Sequence, residues 1–403
     1  MINHNLIINI LFYLMPFVDF STGFLVLGQY IEEGGLASPS QILRLATVLL
    51  IFYYNKRSKE YLIPIIALLS YFIFIEFYSY FFHLDIFGLA IGLVFCTKLI
   101  YIISIYLFLV LLKKENKINY EILLFHIRNA VIITAFLILT PFFLGVGYST
   151  YEGSNSTKGY FASGNALGAY MGAGMLLFSK NYIKSSNIIS IIVFSGILFS
   201  GMVVGTKTAF IFMFMLIAIF FIQLRTPAKL IFATASTLLF GYITNIILDR
   251  FDVLFYRLES TDLIDFIFSE RDSFVIESFK MFSLDGIYAL RIFFGFGAYL
   301  SYRNPGFIEY PFVDILESDI ADIFFMYGIS ILLLYFYAIY NFTSYAFKAK
   351  NFILLINLIL LFTASSLAGH VVFNGMSGQL LSCLCALSYM CYKESEYIYI
   401  RNI

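Results

Sequence analysis

Stretches of about twenty apolar residues recur along the whole chain, and no other feature limits its fold as strongly. A helix needs about 20 residues to cross roughly 30 Å of hydrocarbon. Windows of that kind lie near 6–28, 40–54, 61–82, 86–112, 122–146, 163–179, 187–204, 208–224, 228–248, 319–341, 351–368 and 371–392. Of 403 residues, 61% are apolar or aromatic and only 12% are charged. A water-soluble domain has nowhere to hide that much apolar surface, so the bilayer is its solvent. The expected fold is all-α, a polytopic transmembrane helix bundle of about twelve spans. Residues 1–248 would supply spans one to nine, 249–318 a large loop, and 319–403 the last three spans and a tail.

The 25 basic and 25 acidic residues cancel, which leaves no cationic field for nucleic acid, so the placement of charge matters more than its sum. Met1 to Asn5 lacks a basic leader and no small-residue cleavage site follows, so the first apolar run reads as a retained helix. Cys96, Cys383, Cys385 and Cys391 all sit inside apolar runs, without histidines at metal-ligand spacing, and read as buried thiols. No metal or other cofactor is expected.

Orientation follows from lysine and arginine in the short connections. One alternating set holds Lys56, Arg57, Lys59, Lys113, Lys114, Lys117, Lys180, Lys184, Arg225, Lys229, Lys348 and Lys350, with Lys393 and Arg401 in the tail. The opposite set of short connections holds only Lys158 and Lys207. Both termini are therefore expected in the cytoplasm, with the long connection from Asp249 to Ser318 outside. Within that loop, Leu263, Phe266, Ile267, Phe274, Val275, Phe279 and Phe282 recur at near-helical spacing among charged residues. This predicts one or two amphipathic helices lying on the membrane or capping the bundle. Gly295, Gly297, Asn304, Pro305, Gly306 and Pro311 then break the pattern. There is no soluble domain and no internal repeat.

Several constellations carry chemical possibilities. Gly205-Thr206-Lys207-Thr208-Ala209 places an ammonium and two hydroxyls at a helix start, a setting suited to a phosphate; the plainer reading is a tight turn with a snorkelling lysine. Glu270-Arg271-Asp272-Ser273 and Arg291 offer guanidinium groups able to grip a pyrophosphate, or to pair with neighbouring acids on a solvated helix face. Asp319 and Asp322 are three apart and should share a helix face near Glu317, where crowding favours a general base; helix capping also explains Glu317 and Asp319, but Asp322 less well. His370, at the turn before the last span, is a second-rank candidate beside the plainer role of a polar tip.

Asp19, Glu76, Lys98 and Arg128 fall inside apolar windows, where an unpaired charge at the centre costs roughly 2.5–3.5 kcal/mol. Lys98 is expected to face the bundle and meet an acid such as Asp19 or Glu76, and Arg128 to snorkel to the cytoplasmic side. Gly164, Gly168 and Gly172 make a small-residue stripe for close helix packing.

The order of these features resembles the family of O-antigen polymerases and O-antigen ligases, often called Wzy and WaaL. The resemblance runs over roughly residues 160 to 375 and rests on Phe161-Ala-Ser-Gly-Asn165-Ala-Leu-Gly168, then Gly205-Thr-Lys207-Thr208-Ala. After these come a loop with Arg271 and Arg291, Gly295-Phe-Gly297, and Glu317-Ser-Asp319-Ile-Ala-Asp322 leading to Tyr327-Gly328-Ile329. Ligases typically carry a His-Asn pair where this chain has the acids and an arginine where it has Lys207, and His370 does not fill that histidine position. These departures favour a polymerase.

The resemblance implies a GT-C-like glycosyltransferase of lipopolysaccharide or capsule biosynthesis in a bacterial inner membrane, acting without a metal on its outer face. Donor and acceptor would be undecaprenyl-pyrophosphate-linked glycans, with membrane lipids, a chain-length regulator and a flippase as further partners. Lys207, Arg271 and Arg291 would stabilise pyrophosphate charge, and Glu317, Asp319 or Asp322 would orient or deprotonate the acceptor hydroxyl. His370, Asn165 and Arg257 stand in reserve. The rivals are an O-antigen ligase, which transfers the polymer to a lipid A core, and a lipid-linked sugar flippase. The lone long loop and the absence of repeats or midplane charge clusters weigh against the flippase.

Overall fold

Helices fill the apolar windows. The computed structural model describes residues 3–31, 38–150, 156–182, 188–223, 271–282, 284, 286–303, 316–367 and 369–401. The helices are α1 (His4–Leu27), α2 (Pro39–Asn55), α3 (Lys59–His83), α4 (Ile86–Lys114), α5 (Tyr120–Phe143), α6 (Gly164–Tyr182), α7 (Ile188–Val204) and α8 (Lys207–Gln223). They continue with α9 (Arg271–Met281), two single turns α10 (Arg291–Phe294) and α11 (Gly297–Leu300), then α12 (Asp319–Lys348), α13 (Phe352–Leu367) and α14 (Gly375–Arg401). Every expected window coincides with a helix except 228–248, which lies outside the described residues. Among the described residues, α1, α3, α4, α5 and α12 are long and apolar enough to cross a membrane. Exposed Phe74, Phe136 and Leu333 on their outer surfaces are what a lipid-facing wall requires.

The centre of the bundle is the packing of α4 against α14 and α3, with Leu99, Ile100, Ile105, Phe108 and Leu384 fully or nearly fully buried. The small-residue stripe of α6 works as expected. A methyl on Gly168 would collide with Thr206 Oγ1, and one on Gly172 would meet the Phe212 ring, so α8 lies directly against α6. Arg128 does not simply snorkel. Its Nη2 donates to the Leu177 carbonyl (2.7 Å), tying α5 to α6.

Buried charges are partnered differently from the sequence expectation. Asp19 pairs with Arg44, not Lys98, and both are almost wholly enclosed. Glu76 accepts hydrogen bonds from the Ala298 amide (3.0 Å) and the Tyr327 hydroxyl (3.0 Å). It thus satisfies an otherwise unpaired amide at the start of α11. Gly92 leaves the room for that carboxylate, since a methyl there would lie 2.0 Å from Glu76 Oε2. Near its start α1 contains a π-turn over Ile10–Leu14. Gln379 Nε2 donates to the Leu11 carbonyl there (2.6 Å), while its Oε1 accepts from Tyr101 (2.6 Å).

The helix that opens with Asp319 covers the expected window 319–341, but it breaks at Gly328 and then resumes to Lys348. The final helix starts at Gly375, later than the window suggested, and residues 369–374 form an irregular reversal. Asn374 caps it by accepting from the Met376 amide (2.9 Å).

Candidate functional site

The first turn of α12 brings two carboxylates to the end of the bundle. Asp319 and Asp322 share one helix face, as their spacing predicted, and are 0% and 2% exposed. Neither caps its own helix. Ser318 occupies the cap position and makes no side-chain cap bond there; its Oγ donates to the Ser366 carbonyl (3.0 Å). Glu317 sits at φ +55° and is exposed, so the crowding is between Asp319 and Asp322, the pair expected from their spacing.

Asp319 is the organiser. Its Oδ2 accepts from the Val371 and Val372 amides (2.9 and 2.8 Å) and from Ser365 Oγ (2.5 Å). Ser365 in turn contacts the Tyr335 hydroxyl (2.7 Å). The carboxylate gathers donors that the reversal after α13 would otherwise leave unpaired. This folds residues 369–374 over the start of α12 and brings His370 to the acids. Asp322 Oδ1 accepts from the Leu316 amide (3.0 Å).

The remaining oxygens converge on one ring. His370 Nδ1 is 3.5 Å from Asp319 Oδ1 and 3.6 Å from Asp322 Oδ2, ion-pair distances, and none of these three buried atoms makes a hydrogen bond. The imidazole therefore faces both acids with Nδ1, at ion-pair distance from each, which leaves Nε2 on the side of the ring away from them. Burial works against protonation of His370, but the adjacent carboxylates of Asp319 and Asp322 outweigh it, while Lys98 opposes them. The net result is a pKa above the ordinary imidazole value. His370 is 22% exposed, so the cluster opens through its ring. Among the described residues no group of three or more His, Cys, Asp or Glu is placed to hold a metal ion.

Beside this cluster runs an apolar groove of about 520 Å³. Val275, Ile276 and Phe279 of α9 form one wall, Ile320, Ala321 and Phe324 of α12 the other, and Ser318 and Ser366 stand at its edge. A helix, α9, forms over part of the expected amphipathic stretch and lies against the start of α12, but its apolar residues are not gathered on a buried face: Ser278 is buried while Phe274, Ile276 and Met281 are exposed; residues 263–270 lie outside the described part.

Arg291 lies inside the loop, away from solvent. It was expected to face a pyrophosphate, but its side chain is fully buried. Nη2 donates to the carbonyls of Ser301 (2.7 Å) and Arg303 (2.8 Å), and the guanidinium is sandwiched between Phe282 and Phe296 at 4.4 and 4.5 Å from the ring centroids. A planar cation with five donors suits such a staple. Burial pulls its pKa down to about 10, which leaves it charged.

Lys207 is the first residue of α8, half-buried, after a turn with Gly205 at φ +67°. Thr206 caps that helix by accepting from the Ala209 amide (3.2 Å) and is the residue that fills the notch at Gly168. The Asn165–Gly168 segment and the Gly-Thr-Lys-Thr turn thus form a second group, with Asn165 on the first turn of α6. Arg271 opens α9, its side chain outside the described part. Arg257 lies outside the described residues.

The sequence underrated His370. Asp319 and Asp322 announce themselves by spacing, but the imidazole comes from an irregular segment about fifty residues away, and no local pattern links them. The class defined here is a helical protein with membrane-length apolar helices and a buried Asp–Asp–His cluster at one end of its bundle. No protein-family model matches the chain, and no curated protein matches its sequence. Its function must therefore be read from this site.

Proposed function

We propose that this chain is a surface-polysaccharide polymerase, a glycosyltransferase that joins lipid-pyrophosphate-linked repeat units on the outer face of a bacterial inner membrane. The observation that carries the reading is the His370 ring, which faces Asp319 and Asp322 at ion-pair distance beside the apolar groove. In this scheme about twelve helices span the bilayer with both termini inside, as the lysine and arginine distribution favours.

His370 Nε2 takes the proton of the acceptor hydroxyl, whose oxygen attacks the anomeric carbon of the donor. The new C–O bond forms as the bond from that carbon to the lipid pyrophosphate breaks, and lipid pyrophosphate leaves with the electron pair. The two carboxylates hold the ring through Nδ1 and offset its positive charge as it takes the proton. They act behind the base, in place of the base role expected from their sequence. The groove between α9 and α12 supports a substrate with a long hydrocarbon tail. Lys207 and Arg271 remain the proposed pyrophosphate contacts from the sequence, without Arg291.

An O-antigen ligase would use the same donor, and an imidazole at the site also suits it. A deletion strain separates the two: loss of polymerisation leaves single repeats on the lipid core, whereas loss of ligation leaves unlinked polymer. His370→Gln and Asp322→Asn, at normal protein levels, should both abolish long polymer. Retention of a full ladder by both would overturn the site.

A further inference from the structure

The ion pair of Asp19 and Arg44 lies inside the bundle, and the Arg44 side chain meets more there than an acid. A methyl on Gly375 would fall 2.0 Å from Arg44 Nε, 2.1 Å from Cζ and 2.5 Å from Nη2. The guanidinium therefore lies directly against the first residue of α14. Gly375 is not at positive φ, so glycine serves close approach here and not conformation. The same turn of α14 holds the segment that carries His370. Ser377 Oγ donates to the carbonyls of Val371 (3.0 Å) and His370 (3.4 Å). A methyl on Gly378 would meet Ile102 of α4 at 2.6 Å and the Val371 carbonyl oxygen at 3.1 Å. From the other side, Asp319 takes the Val371 and Val372 amides. The backbone at His370 is thus held by its carbonyls from α14 and by the amides that follow from α12, and the first turn of α14 rests on Arg44.

We propose that Arg44 is a positioning residue of the His370 site: paired with Asp19, it seats the first turn of α14 and, through Ser377, sets where the imidazole stands relative to Asp319 and Asp322. This rests on the glycosyl-transfer reading above. Arg44 touches neither the substrate nor the reacting atoms. An enclosed ion pair is a weak source of stability, because desolvation offsets most of the attraction and well-packed apolar residues often hold a bundle as well. What a guanidinium supplies is shape. It is a rigid plane, fixed at one edge where Nη2 meets Asp19 Oδ1, with Gly375 against the rest. Tyr101 extends the support one turn along α14, since its hydroxyl donates to Gln379 Oε1 (2.6 Å) while its ring centroid stands 6.0 Å from Arg44 Cζ. The site depends on such accuracy. His370 Nδ1 stands 3.5 and 3.6 Å from two carboxylate oxygens, and a misplacement of about 1 Å costs up to roughly a hundredfold in rate.

The test uses the full-length protein in proteoliposomes with a lipid-pyrophosphate-linked repeat unit as substrate. The double variant Asp19→Leu, Arg44→Met removes both charges together, so no uncompensated charge stays in the bundle. It is expected to accumulate as the parent does, to lower kcat by about tenfold or more, and to leave KM within about threefold. The acidic limb of its kcat/KM profile should also move to lower pH, toward 6.5, because the ring no longer faces both carboxylates. The charged groups around the ring, Asp319 and Asp322 from α12 and Lys98 from α4, are all retained in this variant. A merely structural pair would change the melting temperature and leave kcat and the limb in place. Gly375→Ala disturbs the same contact from α14. It should reproduce the loss of kcat and the moved limb in the parent, but add little in the double variant, where a flexible methionine gives way. Should the double variant fail to accumulate, Asp19→Asn, Arg44→Gln is read in the same way. Parental kcat and limb in a neutral pair or in Gly375→Ala overturn the proposal, as does an equal loss from Gly375→Ala in both backgrounds. If His370→Gln and Asp322→Asn stay active, the underlying reading falls. If they are inactive while the neutral pair behaves as the parent, only the role of Arg44 falls.

Discussion

Gly295 and Gly328 lie back to back: a methyl on Gly295 would fall 2.2 Å from the Met326 carbonyl oxygen, and one on Gly328 would fall 2.3 Å from that of Phe293. Both residues have φ near +75°, a region open to glycine and strained for other residues. The break at Gly328 removes helical partners from carbonyls of α12, and outside donors replace them. The Phe296 amide reaches Phe325 O (3.1 Å) and the Tyr71 hydroxyl reaches Tyr327 O (3.0 Å). Ser330 Oγ meanwhile donates to Phe293 O (2.9 Å). Two motifs about thirty residues apart are thus one joint, which fixes α10 and α11 against the helix that carries Asp319 and Asp322.

Alanine at either glycine should therefore be costly. Positive φ alone costs about 1–3 kcal/mol, and the backbone collision adds to it. Gly328→Ala and Gly295→Ala are each expected to cut the folded fraction in membranes sharply, as measured by fluorescence-detected size exclusion in detergent. Wild-type levels of monodisperse protein from both variants would contradict the joint.

Arg291 gives a second test, one that separates scaffold from catalyst. Removing its side chain leaves two carbonyls without their donor and a gap between Phe282 and Phe296, a loss on the order of 3 kcal/mol or more. Arg291→Ala should lower the melting temperature in detergent. Arg291→Lys should recover little of it, because an ammonium cannot hold two carbonyls and stack between two rings at once. A variant with native melting behaviour and no polymer would return Arg291 to the phosphate role expected from the sequence.

How much of this could be read beforehand depended on the range of the interaction. Apolar windows placed the helices because burial in lipid is a local requirement on each segment, and three-residue spacing placed Asp319 and Asp322 on one face. Gly295 and Gly297 were visible as interruptions and Gly328 as part of a motif, but not as one another's partners. The ion pair of Asp19 and Arg44 was missed because Arg44 lies within an apolar window and nothing local marks which acid it meets. Lys98 was assigned to Asp19 or Glu76 by charge alone, although Glu76 is used to seat a turn of helix from the loop. In each case the missing information was which helices neighbour one another, and periodicity along a single helix does not contain it.

The two acids of the cluster should respond differently to substitution. Asp319 holds three donors from two other segments, so Asp319→Ala leaves the Val371 and Val372 amides unpaired and should destabilise the protein by about 3 kcal/mol or more. Asp322 holds one amide, and Asp322→Asn keeps an oxygen for Leu316. That variant should accumulate normally while losing polymerisation, because an amide does not offset the charge of a protonating imidazole. Protein level by immunoblot and polymer length on gels, read on the same cells, distinguish the two; an inactive Asp319→Ala at full abundance and an active Asp322→Asn would reverse the assignment.

The pH response follows from the raised pKa of His370. If neutral His370 is the base, activity should rise with pH through that raised value, above the 6.5 of an ordinary imidazole. Replacing Asp322 by asparagine removes a charge that favours the imidazolium, so any residual activity should have its limb at lower pH. Stability runs the other way. An imidazolium held between two carboxylates stabilises the folded state fully below 6.5, the unfolded value, and that contribution disappears as pH rises through the raised folded value. The melting temperature of the parent should thus fall across this interval while its activity climbs, and His370→Gln should flatten that part of the melting curve. A parent whose melting temperature holds steady or rises over the same interval would mean that the ring is not held as an imidazolium between Asp319 and Asp322.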